Sequence, residues 1–188
     1  MRKTTSIIVL AGVVLACVAV QQVESKRPSP EAKAVANFGF GLKMAGSWYG
    51  SFQAAIPDPP PPMPVVYTVS ADGGGVVASP EMHGSGAPAF LGLRTTFHLT
   101  WTRTGRMETT WTGIDFAMDE DGNLGVPAYG GAGILRISGV GQFDKYFQTY
   151  TGTGMIDAFM ANQDPLDPNE EPVVSIPIVY EYRRINAL

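Results

Sequence analysis

The chain has 188 residues, 45% of them hydrophobic and only 16% charged, with a net charge of −4. No run of Lys or Arg follows residue 27, which argues against a nucleic-acid partner, because phosphates are held by clustered cations. Glycine (22) and proline (15) together make about a fifth of the chain, so turns are frequent.

The chain opens with Arg2 and Lys3, followed by an unbroken run of apolar or small residues from Ile7 to Val20. A membrane-spanning helix needs about 20 such residues, so this run is too short to be one. It predicts a secretory signal peptide over residues 1–25, cut between Ala19 and Ser25. The mature protein is then secreted or periplasmic and has no membrane span. Cys17, in "VLAC" (14–17), reads as an ordinary cysteine of the leader, with a lipoprotein anchor as the alternative. It is the chain's one cysteine, so removing the leader removes any disulfide, and the domain must be held by its core. Residues 26–37 ("KRPSPEAKAVAN") are polar and carry Pro28 and Pro30, which suits a flexible spacer ahead of a domain at 38–188.

From there the chain alternates with period two. In "SWYGSFQ" (47–53), Trp48, Gly50 and Phe52 share a face; in "PVVYTVSA" (64–71), Val65, Tyr67 and Val69 do. In "TFHLTWTR" (96–103), Phe97, Leu99 and Trp101 oppose a row of threonines and His98. Segments 107–118, 134–139, 147–160 and 173–185 continue the β-branched and aromatic pattern of half-buried strands. The intervening "ADGGG" (71–75), "RTGR" (103–106), "DEDGN" (119–123) and "DPLDPNEE" (164–171) are turn signals. Seven to nine strands with hairpin links and no crossover helices predict an antiparallel sheet. Closing it into an up-and-down barrel removes its edges. The proline run Pro57–Pro64 has few amides to give a ladder, so it is expected wholly outside the sheet, as a stiff loop from the first strand (46–55) to the second (64–71). There it would serve as a rim or partial lid, or as a peptide offered to a proline-recognition module.

Catalytic and metal chemistry is weakly signalled. "DEDGN" puts Gly122 at the fourth position and has no glutamate at position twelve, so it reads as a hairpin turn with solvated acids, not a calcium loop. The two histidines, His83 and His98, make no zinc set without cysteine. No Gly-x-Ser-x-Gly elbow or phosphate loop supports a nucleophile or a nucleotide. No metal, cofactor or catalytic residue is assigned. Glu108, Asp115, Asp157 and Glu181 lie within strand alternation; an inward one needs a partner such as Arg94, Arg136 or Arg183.

The segment "NFGFGLKMAGSWYG" (37–50), with Asn37, Phe38, Lys43, Gly46, Trp48 and Tyr49, resembles the first motif of lipocalins. That resemblance implies a calycin-like eight-stranded barrel closed at one end. Gly46 and Trp48 would form the closure, with the Trp packed on a late arginine, Arg183 or Arg184, and Arg183 is taken as that partner. A buried tryptophan opening any β-meander accounts for the same residues. The order of "PPPPMPVVYTVSADGGGVV", "TWTRTGR", "MDEDGNLG", "TYTGTG" and "YRRI" also resembles small exported, mostly uncharacterised bacterial β-barrel proteins.

An eight-stranded barrel can just enclose one small ligand. The function expected first is binding of a small apolar molecule, lined by Tyr67, Phe97, Trp101, Trp111, Phe116 and Tyr150. The alternatives are a barrel enzyme of cyclase or isomerase type, marked by an inward carboxylate, and a structural or interaction protein with a packed interior.

Overall fold

The computed structural model describes residues 39–78, 93–119 and 121–186. The leader, Cys17, the 26–37 spacer, Asn37, Phe38 and His83 lie outside the described residues, as does the side chain of Arg94. The sheet is built from β1 (Gly46–Ala54), β2 (Met63–Val69), β3 (Gly74–Ala78), the two-residue β4 (Leu93–Arg94), β5 (Phe97–Arg103), β6 (Glu108–Met118), β7 (Ile134–Phe143), β8 (Thr149–Phe159) and β9 (Val174–Arg184). Every pairing is antiparallel. The order runs β1-β2-β3-β5-β6-β7-β8-β9, and β9 pairs back onto β1. This is a closed, eight-stranded up-and-down barrel, consistent with a calycin-like fold.

Period-two alternation decides which side chains fill it. Trp48, Val65, Tyr67, Val69, Phe97, Leu99, Trp101, Ile137, Tyr150, Ile156, Ile178, Tyr180 and Tyr182 form one buried cluster inside the wall. The residues between them in sequence face out. The inner glycines of β7 make room for large rings. A Cβ on Gly139 would stand 2.8 Å from the indole of Trp111, and one on Gly141 would stand 2.4 Å from the ring of Tyr150. Neither contact is possible, so these two positions cannot carry a side chain while the rings stay in place.

Three elements depart from the sequence expectation. β3 begins inside the segment read as a turn, at Gly74, because the tight turn needs only residues 71–73. Pro64 lies within β2, opposite Ser51, and only residues 55–62 form the loop. It is the second residue of its strand, where a missing amide is tolerated. Between β4 and β5 the chain gains one residue on its partner: Arg94 faces Ala117, whereas His98 faces Ile114. Thr95 anchors this bulge, its amide donating to the Phe116 carbonyl (3.0 Å) and its Oγ1 accepting from the Phe116 amide (3.0 Å).

Candidate functional site

Each barrel end carries its own packed cluster. At the first, a helical turn over 39–44 lays Phe40 and Met44 against the inner cluster. Trp48 follows, 0% exposed, and its indole N–H donates to the Met44 carbonyl (3.1 Å). The guanidinium of Arg184 sits 5.4 Å from the Trp48 ring and donates to the carbonyls of Lys43 and Ala45. Trp48 thus packs beneath a late arginine, and that arginine is Arg184, not Arg183. Arg183 points the other way, 78% exposed, with only a 3.7 Å ion pair to Glu181. The cause is parity: Trp48 pairs with Arg184 and Tyr49 with Arg183, so only the first arginine shares the tryptophan's face.

At the other end, a short 3-10 turn (Pro127–Tyr129) sets Val126, Tyr129 and Ala132 against Ala117, Leu135 and Ala158. Nothing in the period-two pattern marked this second core. The turn that leads into it is "DEDGN", where Asp119 accepts from the amides of Asp121 (3.0 Å) and Asn123 (2.8 Å). Bonds from the Asn123 side chain and from these amides hold the Asp119 carboxyl below its usual range. The loop is a hairpin turn, as read. No group of three His, Cys, Asp or Glu gathers to hold a metal among the described residues.

Between the ends lies a cavity of about 60 Å³, lined by Met44, Phe52, Val65, Val69, Val77, Leu99, Ile137, Ile156, Ile178 and a set of aromatic and polar side chains. Five of the six residues expected to line it are there: Tyr67, Phe97, Trp101, Trp111 and Tyr150. Phe116 is not. It is 43% exposed on the outer wall, because Trp111 and Phe116 are an odd number of residues apart in one strand and cannot share a face. The inward residue beside it is Asp115, 1% exposed and part of the lining. Of the four carboxylates flagged in the sequence, it alone lines the cavity. Asp157 is buried outside the barrel with Arg136 (2.9 Å) and Ser175 (2.6 Å), while Glu181 is exposed and Glu108 accepts from Thr104 (2.9 Å).

The interior is dominated by tyrosine. The rings of Tyr67 and Tyr182 meet edge to face at 4.7 Å, and Tyr150, Tyr180 and Tyr182 stack on one another at 5.3–6.4 Å. Tyr182 and Tyr180 were not singled out in the sequence, although "VYEY" alternates as plainly as the segments that were. Burial pushes the hydroxyls of Tyr67, Tyr180 and Tyr182 well above the ordinary tyrosine range and raises that of Tyr150; each stays neutral at physiological pH. Most polar atoms here are paired. Thr109 and Tyr150 share a hydrogen bond (2.8 Å), Trp111 Nε1 donates to the Tyr180 hydroxyl (2.9 Å), and Trp101 Nε1 donates to the Ser70 carbonyl (3.2 Å).

The 55–62 proline loop contributes nothing to this cavity. The Gln53 side chain ties it down through the Pro60 carbonyl (3.0 Å). Pro62 borders a separate groove with Ser51, Gln53, Thr151, Val179 and Glu181. Among the described residues no helix is long and apolar enough to cross a membrane. No family model, curated protein or solved structure matches this chain.

Proposed function

We propose that this is an exported barrel protein that binds one small apolar molecule in its interior. The observation that carries the reading is a cavity inside the barrel, walled almost wholly by aromatic and aliphatic side chains. Export is supported by the basic, apolar and then polar pattern of residues 1–25. The lipocalin-like segment, with its tryptophan beneath a late arginine, favours the same reading. Native mass spectrometry of the protein purified from its own host tests it, followed by denaturing analysis of whatever is released. A stoichiometric small apolar molecule is expected.

The size of the void favours a second reading. At about 60 Å³ it is far below the roughly 300–1,000 Å³ of drug-sized sites, as in a packed barrel whose outer surface does the work. Bare protein in the spectrometer, with no uptake of small hydrophobic probes on titration, would decide for that reading.

A further inference from the structure

One buried hydroxyl on the cavity wall says what kind of ligand fits. Tyr67 is 6% exposed, yet its hydroxyl has no hydrogen-bond partner among the described residues. A buried hydroxyl left unpaired is costly, and native proteins rarely retain one without a use. Three neighbouring donors on this wall are committed: Trp101 to Ser70, Trp111 to Tyr180, and Tyr150 with Thr109. A neutral phenol offers a proton, so it calls for an acceptor. Among the described residues no lysine, arginine or histidine lines the cavity, so a carboxylate brought inside would be a buried, unpaired charge. The space limits size: one water needs about 10–15 Å³ of such volume, so the cavity holds only a handful of water-sized groups.

From these observations we infer that the occupant is an uncharged compound of about one ring, carrying a single carbonyl or ether oxygen that accepts a hydrogen bond from Tyr67. The inference rests on the ligand-binding reading above and narrows it to a chemical class. It sets fatty acids and other anions aside.

Three one-ring probes test it by calorimetric titration of the mature protein: cyclohexanone; methylenecyclohexane, of the same size, which replaces the carbonyl oxygen with a CH₂ group; and the slightly larger cyclohexanecarboxylate. Each is measured on the native protein and on Tyr67→Phe, which keeps the ring and removes only the hydroxyl. The expected result is a loss of about fivefold in cyclohexanone affinity in the variant, the size of one hydrogen bond. Methylenecyclohexane affinity should be unchanged or higher, and the carboxylate should not bind. Unliganded Tyr67→Phe should melt no lower than the native protein, since it loses an unpaired group. Equal effects of the substitution on ketone and alkene would overturn the inference while leaving a hydrophobic carrier intact. So would a carboxylate that binds as well as the ketone, or a lower melting temperature for the variant, which would mean that the hydroxyl already has a partner. Failure of all three probes to bind the native protein would instead overturn the ligand-binding reading itself.

Discussion

Arg183 and Arg184 are adjacent and chemically identical, and only their place on the strand separates them. Arg184 donates to two carbonyls of the helical end and covers Trp48, whereas Arg183 stands in solvent. Arg184→Ala is expected to cost about 2–3 kcal/mol, from two charge-assisted hydrogen bonds and lost cover over an aromatic ring. Arg183→Ala should stay within about 0.5 kcal/mol, as surface changes do. Urea denaturation of both variants checks the pair, and equal losses would refute the assignment. The tyrosines give a pH prediction. Four hydroxyls have folded pKa values raised by burial, so above the unfolded value near 10 the unfolded chain binds fewer protons than the folded one. Their stabilising contribution is complete below pH about 10 and falls as pH rises, by up to about 1.4 kcal/mol per tyrosine per pH unit. Absorbance at 295 nm, followed against far-ultraviolet dichroism, should show these rings ionising only as the sheet melts. At this scale the sequence was a good guide where alternation runs unbroken, as from Phe97 to Trp101. It misled at Phe116, where hydrophobicity was followed instead of parity. It was silent on Tyr67's unpaired hydroxyl, since hydrogen bonding between distant strands leaves no local trace.

The segment 160–173 shows how an element without regular structure is fixed. It lies over the outer face of β7 and β8, held where Arg136 donates to the Pro165 carbonyl (2.7 Å) and to Asp157 (2.9 Å), with Asp157 braced by Ser175. Phe159 lies beneath the same guanidinium, 4.9 Å away. Asp157→Ala leaves this arginine without its anion in a half-buried place. A loss of about 2–3 kcal/mol is expected, below the full cost of breaking a deeply buried pair because water still reaches the guanidinium. Limited proteolysis should then cut first within 160–173; unchanged cleavage would mean that the loop is held by its own turns. Most of the strands read from the sequence were placed to within two residues, because two-residue periodicity is a local property, but β7 runs four residues past 134–139 to Phe143. The elements that were not legible are those made by tertiary context: β3, which starts among three glycines, and the 3-10 turn carrying Tyr129, which is buried against Ala117, Leu135 and Ala158 of three different strands.

At the scale of the molecule, closure rests on the ladder between β1 and β9, where Trp48 meets Arg184 and Ala54 meets Ile178. Deleting residues 174–184 would expose two ladder edges at once, on β1 and on β8. Such a truncation is expected to aggregate rather than form an open sheet, as light scattering on refolding would show. A monodisperse, folded product would refute this. The same ladder also sets a timetable. β1 is made early and its partner is the last strand to leave the ribosome, so no shorter nascent chain can complete the barrel. Pairing across such a distance in sequence is slow to form. If the chain is exported as proposed above, that delay is useful, because a translocation channel admits a polypeptide that is still unfolded. Under the proposed export, the order in which the strands are synthesised would keep the chain threadable until it has crossed.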